Sequence, residues 1–229
     1  MQPYFFPYIG YFMYMHACDT FVLYNDVNFI MRGWINRNKV LINGKAQWLG
    51  VPLVKASPNK KINQTLIDDS QMWRKKMLSS IEHAFKKAPN FHLGMEMVHR
   101  ILLKEYATID ALASTTIKEI HSYLELHCVL IEDSTSYGND ALDRVSRLID
   151  IAMAEDAQGL VLPPGSRGLY DASYFKSKGL DVKFIKPDLK VYDRTGYYNQ
   201  AIGLSILDMI MFLSKDELLN HLTAYSLIE

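Results

Sequence analysis

Short apolar runs alternate with longer amphipathic stretches in the last hundred residues, and this alternation constrains the fold more than any other feature. The runs at 128–131, 159–162 and 182–185 have the length and composition of buried strands. Helical patterns lie between them, at 140–154 and 169–177. Strands and helices that alternate at this spacing predict βαβ units with parallel strands.

The first fifty residues predict a helix, a strand and a β-hairpin. The pattern at 8–19 favours a helix that begins just after a proline, and residues 20–24 follow it as a short buried strand. Asn43-Gly44 separates two apolar runs, which is a strong signal for a hairpin turn. We therefore expect an extended segment at 31–42 to pair with a return strand at 47–54.

A helical block is predicted in the middle of the chain, at about 71–126, after a further strand at 62–67. Two more helices are expected near the end, and Ser214 with Glu217 has the spacing of a capping box. One apolar stripe with a repeat of four residues marks the first helix of the block and consists of Trp73, Met77, Ile81 and Phe85.

The charge balance limits the classes of partner. Lys and Arg together number 25, and so do Asp and Glu, so the net charge gives no reason to expect nucleic acid or an anionic membrane. A local basic patch could still hold one phosphorylated small molecule. The apolar start has no basic region and no small-residue cleavage site, and no run of eighteen apolar residues occurs. A cytoplasmic location is therefore expected.

Cysteines and histidines give no prediction of a metal site. Cys18 and Cys128 lie in apolar stretches, which is typical of small buried residues in a reducing compartment. The seven histidines show no metal-binding spacing. Walker, GxGxxG and GxSxG motifs are absent from the sequence as well.

The first candidate for a ligand site is the aromatic run at 2–11. Two prolines stiffen it, and a glycine at the first turn of the following helix would let an anion approach the backbone. Aromatic clusters are also common in cores, but buried tyrosine hydroxyls need polar partners. The candidate ligand residues are Gln2, Tyr4, Tyr8, Gly10 and Tyr11.

The second candidate follows directly at 32–38. In an extended segment, alternation would place Arg32, Trp34 and Asn36 on one face and Arg37 on the other. Arginine can clamp a carboxylate or phosphate, and tryptophan can stack on a ring. An ordinary edge strand with surface charges would have the same composition. The candidate residues are Arg32, Trp34, Asn36, Arg37 and Asn38.

A third candidate is the loop at 165–170, between a predicted strand and a helix. The carboxyl ends of parallel strands are where such sheets bind ligands, and backbone N–H groups, a hydroxyl and a cation suit a phosphate. The candidate residues are Gly165, Ser166, Arg167 and Tyr170.

Near the end of the chain, polar residues at 197–200 precede Ser205 and Asp208, which are most simply a helix N-cap and a first-turn carboxylate.

These segments resemble the WbqC-like protein family of bacteria. The motifs that carry the resemblance are spread over most of the chain, and the first and third are the most specific. They are QPYFFPYIGYF at 2–12, DTFVLYNDVNF at 19–29, RGWINRN at 32–38, VP at 51–52, GSRGLYD at 165–171 and YYNQAIGLSILDMI at 197–210. The chain departs from the family at two points. Met1 stands where relatives usually carry an apolar first strand, and Asn28 stands where glutamine is more usual.

The resemblance implies a place in the synthesis of O-antigen or other surface-polysaccharide sugars, with transfer of an aminoacyl (glycine) or acyl group to an amino sugar. The expected partner is a small molecule, such as a nucleotide-linked amino sugar, and the oligomeric state is left open. Arg32, Arg37 and Arg167 would hold phosphates or a carboxylate, and Trp34 or Tyr8 would stack on a ring. Asp26 is the candidate general base for the amine.

A second likeness is to nucleotidyltransferase-type folds, since 8–11 takes the place of their HxGH motif before a helix and a strand. Tyrosines replace both histidines.

The predicted fold is one α/β domain over 1–229, Rossmann-like, with a mostly parallel sheet, a β-hairpin insertion and the helical block. The likeness to nucleotidyltransferase-type folds keeps open a nucleotidyl or adenylyl transferase with ATP as the candidate cofactor. A non-catalytic binding protein of a glycan pathway is a separate alternative.

Overall fold

The structure is a computed structural model that describes residues 1–194 and 202–229. It is a mixed α/β arrangement with small sheets. The helices are α1 (Ile9–His16), α2 (Trp73–Phe85), α3 (Phe91–Leu102), α4 (Ile109–Tyr123), α5 (Arg144–Ala154), α6 (Ala172–Ser177), α7 (Ile206–Phe212) and α8 (Lys215–Leu222). The strands are β1 (Thr20–Val22), β2 (Arg37–Ile42), β3 (Lys45–Gly50), β4 (Val129–Ile131), β5 (Gly159–Leu162), β6 (Asp181–Pro187) and β7 (Tyr225–Ile228).

Two parallel strand pairs confirm part of the predicted topology. β1 pairs with β4, and β5 pairs with β6 across the connection through α6. The expected mostly parallel sheet is wrong for the described residues, where the strands form three separate small sheets and β7 runs antiparallel to β6. β1 and β4 have only three residues each, so their ladder is short. α1 is linked to β5 of another sheet, because the Tyr14 hydroxyl donates to the Val161 carbonyl.

Met1 lies along β1 by backbone hydrogen bonds. Its amino group donates to the Val22 carbonyl (2.6 Å), and the Tyr24 N–H donates to the Met1 carbonyl (2.8 Å). Leu23 donates to Ile131 of β4 instead. Because successive backbone groups of a strand point to opposite edges, Met1 and β4 flank β1 on its two sides.

The hairpin is confirmed, but the extended segment before it is shorter than predicted. Asn43 and Gly44 both have positive φ (51° and 74°), as a type I′ turn requires. Residues 31–36 form turns and bends, with Arg32 at φ 61°, so β2 begins only at Arg37. The predicted strand at 62–67 is wrong in its first half, where Ile62–Gln64 is a 3₁₀ turn. In its second half, Leu66 and Ile67 make isolated antiparallel bridges to Thr108 and Leu53.

The helical block is confirmed as α2, α3 and α4, and the four predicted stripe residues of α2 are all buried. α8 has the predicted capping box between Ser214 and Glu217. The main core joins the N-terminal segment to the helical block and to α7. A smaller cluster, which covers β5 and β6, consists of Ile149, Ala152, Phe175 and Leu180.

Candidate functional site

The aromatic run at the start of the chain is divided between the core and the surface. Tyr11 is buried, and its hydroxyl is satisfied by donating to the Gln2 carbonyl (3.0 Å). Gln2, Tyr4 and Tyr8 remain half-buried, and burial raises the pKa of both Tyr4 and Tyr8. Of the predicted ligand residues in this run, these three keep accessible side chains.

Gly10 is needed because of the Tyr8 ring. A Cβ atom at position 10 would lie 2.3 Å from Cε2 of Tyr8, which is far inside van der Waals contact. The ring therefore covers the first turn of α1 at the point where the sequence suggested that an anion could approach the backbone. This packing explains the glycine without a phosphate.

The turn at Phe5 and Phe6 is held by side chains from other elements. Phe6 has φ 42°, and its carbonyl accepts from Asn38 Nδ2 (2.6 Å) and Ser205 Oγ (2.9 Å). Its N–H donates to Thr116 Oγ1 (3.1 Å). Asn38 is thus a buried brace for the aromatic run and has no open surface for a ligand.

In the segment at 32–38, the aromatic and charged side chains are not divided between two strand faces as predicted. Asn36 donates to the Val51 carbonyl (2.9 Å), while Arg37 lies over Trp48, 4.2 Å from the ring centroid. Trp34 contacts the same ring, with 5.3 Å between the centroids. The predicted division, with Arg37 opposite Arg32, Trp34 and Asn36, is wrong because the first residues of this segment form a turn, and strand alternation starts only at β2.

Asp26 lies in a buried ion pair that the sequence did not predict. Both of its carboxylate oxygens accept from Arg147 Nη2 at 2.5 Å, and Ser134 Oγ donates to Oδ1 at 2.5 Å. Arg147 Nε donates to Asn139 Oδ1 (2.7 Å). The Asp26 and Arg147 side chains are only 4% and 5% exposed. We call Asp26, Ser134, Asn139, Arg147 and the adjoining Tyr24 the Asp26 cluster.

The Asp26 cluster stands at the carboxyl ends of two parallel strands. Tyr24 and Asp26 follow β1, and Ser134 follows β4. The Tyr24 ring lies 4.4 Å from the guanidinium carbon of Arg147. Burial raises the pKa of Tyr24; Asp26 and the nearby phenol of Tyr170 add to this rise, and Arg147 opposes it. In open α/β sheets this edge is where ligands bind.

Of the loop at 165–170, Tyr170 has an electrostatic effect on tyrosines of other elements. Tyr170 is half-buried and close enough to raise the pKa of Tyr14 slightly, beside the larger effect of burial. Ser166 donates its hydroxyl to the Pro163 carbonyl (2.7 Å), while Gly165 and Arg167 are exposed. Of these four loop residues, Tyr170 has an electrostatic effect on the Tyr24 phenol of the Asp26 cluster.

Residues 2–219 match the WbqC-like protein family. The chain belongs to that family. It is 28% identical over 220 residues to the uncharacterized protein Rv1507c of Mycobacterium tuberculosis, and the alignment covers 92% of this chain and 90% of the relative. No solved structure matches this WbqC-like chain.

The WbqC-like fold directly joins two of the three predicted segments. Backbone and side-chain hydrogen bonds join the aromatic run to 34–38, for example from Phe5 N to the Trp34 carbonyl (3.0 Å). The Tyr170 phenol of the third segment adds to the rise in the pKa of Tyr24. Between 165–170 and 32–38, the described part of the chain has no hydrogen bond, ion pair or ring contact.

Sequence reasoning missed Ser134, Asn139 and Arg147, and no spacing signal could have found them. Arg147 is 121 positions from Asp26 and lies on a helix whose apolar residues alone gave a pattern. The roles of Gln2, Tyr4, Tyr8, Arg32 and the remaining candidates as ligand residues, and of Asp26 in catalysis, also stay predictions.

A second buried ion pair lies at the start of α7 of the WbqC-like chain. Ser205 is its N-cap, as predicted, and Asp208 in the first turn pairs with Arg194 Nε at 2.5 Å and accepts from the Tyr192 hydroxyl. Burial raises the pKa of Asp208, and its Oδ2 is buried without a hydrogen-bond partner. The predicted polar residues at 197–200 lie outside the described residues.

Two general features of the described residues bear on the site. Their helices include none that is both long and apolar enough to cross a membrane. Over residues 1–194 and 202–229, no group of three or more His, Cys, Asp or Glu side chains is placed to hold a metal ion.

Proposed function

We propose that this WbqC-like chain is a transferase of surface-polysaccharide sugar synthesis that places an aminoacyl or acyl group on an amino sugar. The observation that carries this proposal is the Asp26 cluster at the carboxyl ends of β1 and β4. It combines a buried guanidinium with the half-buried phenol of Tyr24, and the Tyr170 phenol is near enough to add to the rise in the pKa of Tyr24. Family membership supports the pathway, because the resemblance to WbqC-like proteins implies surface-polysaccharide genes.

The transfer needs few groups from the protein. The sugar nitrogen attacks the carbonyl carbon of an activated acyl donor, a C–N bond forms, and the leaving group departs with its electron pair. The nitrogen loses its proton to the departing group or to water. A thioester donor arrives activated, whereas a free amino acid must first be activated by ATP, either as an acyl adenylate with release of pyrophosphate or as an acyl phosphate with release of ADP. Positioned hydrogen-bond donors that meet the developing negative charge on oxygen account for much of the rate in such reactions.

The contacts of Asp26 favour a positioning role over the role of general base. Both of its oxygens already accept from Arg147, and Oδ1 also accepts from Ser134. A base must lie within hydrogen-bond reach of the proton that it removes. In this proposal Asp26 and Asn139 fix the Arg147 guanidinium, and the Tyr24 and Tyr170 hydroxyls bind the substrates.

The proposal is tested by incubating the chain with nucleotide-linked amino sugars and either glycine with ATP or acyl thioesters, read by mass spectrometry. We expect a mass gain on the sugar that equals one acyl group. Tyr24→Phe and Tyr170→Phe should each lower kcat/KM by about tenfold, which corresponds to one lost hydrogen bond of about 1.4 kcal/mol.

The control for these variants is Tyr174→Phe, which removes the hydroxyl of an exposed tyrosine on α6. It should leave kcat/KM unchanged. No mass gain with any donor and acceptor, while circular dichroism shows a folded protein, would contradict the proposed function.

A further inference from the structure

A cleft of about 370 Å³ lies between β3 and α2. This size is within the usual range for small-molecule sites. Its lining includes no member of the Asp26 cluster and no residue predicted from the sequence as a ligand residue. The lining residues that matter for a ligand are Trp48, Val51, Pro52, Gln71, Lys76 and Ser80. We call it the Trp48 cleft.

Trp48 supplies an aromatic wall that is not buried by the fold. Trp48 is 45% exposed, so much of the large apolar surface of its indole is not covered by other residues. The ring is held in place, since Arg37 lies 4.2 Å and Lys39 Nζ lies 4.6 Å from its centroid, and Trp34 packs beside it. The two cations cover part of the ring face, and the exposed remainder of the fixed indole forms a wall of the cleft against which a flat ring or a sugar ring can stack.

Lys76 supplies a positive charge in the same cleft, and no acidic residue lines it. Lys76 is exposed and makes no ion pair with any residue that the structure describes. The acidic residues just before Gln71 are already bonded: Asp69 to Trp73 Nε1 (2.8 Å) and to Arg74, and Asp68 to Ser70 and Gln71. The ammonium group is therefore free for an anion, and lysine holds phosphate as a point charge.

We propose that the Trp48 cleft binds a small phosphomonoester, whose ring stacks on the Trp48 indole and whose phosphate is held by Lys76. Gln71 uses its Nε2 to donate to Asp68. Its amide oxygen takes no part in that bond and can accept from a ring hydroxyl or amine of the ligand. Sugar phosphates and mononucleotides share this chemistry. The site does not depend on the proposed transferase function, because it uses other residues.

The test is isothermal titration calorimetry on the full chain with four probes: glucose 1-phosphate, AMP, inorganic phosphate and glucose. We expect saturable binding of glucose 1-phosphate or AMP, and which of them binds identifies the source of the ring. Lys76→Ala and Trp48→Ala should each weaken that binding by about tenfold, whereas Trp48→Phe, which keeps a flat ring, should retain most of it.

The matched control is Lys75→Ala, since Lys75 is an exposed neighbour on α2 that does not line the cleft. It should bind like the unaltered chain. The proposal is overturned if neither phosphomonoester binds saturably, if inorganic phosphate or glucose binds as tightly as they do, or if Lys75→Ala weakens binding as much as Lys76→Ala. Lys76→Ala alters an exposed side chain, so the test stands even if Trp48→Ala fails to fold.

Discussion

At the scale of single residues, the ion pair between Asp26 and Arg147 shows how a buried charge depends on its partner. Each side chain would be costly to bury alone, and the hydrogen bonds from Ser134 and to Asn139 complete the set. The pair fixes the end of β1 against α5. Its contribution is to the position of these groups more than to net stability, since burying two charges costs about as much as their attraction returns.

The Arg147→Met variant should therefore be strongly destabilised. Removal of the guanidinium leaves the Asp26 carboxylate buried without its counter-charge, and we expect a loss of about 3–5 kcal/mol in the free energy of unfolding. Urea denaturation followed by circular dichroism measures this loss.

A double variant separates charge from packing at the same site. Asp26→Asn combined with Arg147→Met removes both charges, so it should lose clearly less stability than Arg147→Met alone. Equal losses in the single and the double variant would mean that an unpaired carboxylate is not the cause.

At the scale of elements, local sequence signals predicted the structure correctly where backbone hydrogen bonds are made within a few residues of one another. The hairpin turn at Asn43-Gly44 and the capping box of α8 are made within a few residues, and the sequence predicted both. The predicted strand at 62–67 failed for the opposite reason. Its N–H groups at Ile62 and Asn63 donate to Val27 and Asn25, which are far away in the sequence, and only isolated bridges form, at Leu66 and Ile67.

The capping box offers a prediction at this scale. Ser214 Oγ accepts from the Glu217 N–H, and the Glu217 side chain accepts from the Ser214 N–H (2.8 Å). Ser214→Ala leaves α8 without its N-cap, which should cost about 1 kcal/mol of stability. The measurement is the urea midpoint, and Ser79→Ala on the exposed surface of α2 is the control, expected to change it little. A similar shift in both variants would argue against the cap as the cause.

At the scale of the whole molecule, distant parts of the chain meet at the turn of Phe5 and Phe6. Asn38 of β2, Thr116 of α4 and Ser205 at the start of α7 all bond the Phe6 backbone. This explains why the aromatic run is rigid without a ligand. It also connects the hairpin, the helical block and the C-terminal helices to one point.

Asn38→Ala tests that connection. The substitution removes donors to the Phe5 and Phe6 carbonyls in the core, and we expect a loss of about 1–3 kcal/mol in the free energy of unfolding. Asn59→Ala changes an exposed asparagine and should lose almost nothing. If hydrogen exchange at Phe6 is as slow in Asn38→Ala as in the unaltered chain, the brace is not needed to hold the turn.

The sequence by itself determined the elements whose causes are local: the α2 stripe, the hairpin, the α8 cap, the βαβ unit of β5, α6 and β6, and the family motifs. It also named Asp26 and Tyr170 as candidate site residues, and their roles stay predictions. Only the tertiary structure decided that Arg147 pairs with Asp26, that the Tyr8 ring covers Gly10, and that Trp48 stands exposed beside Lys76. These contacts join residues with no shared period, and so they follow from how separate elements pack and from the need to satisfy each buried charge.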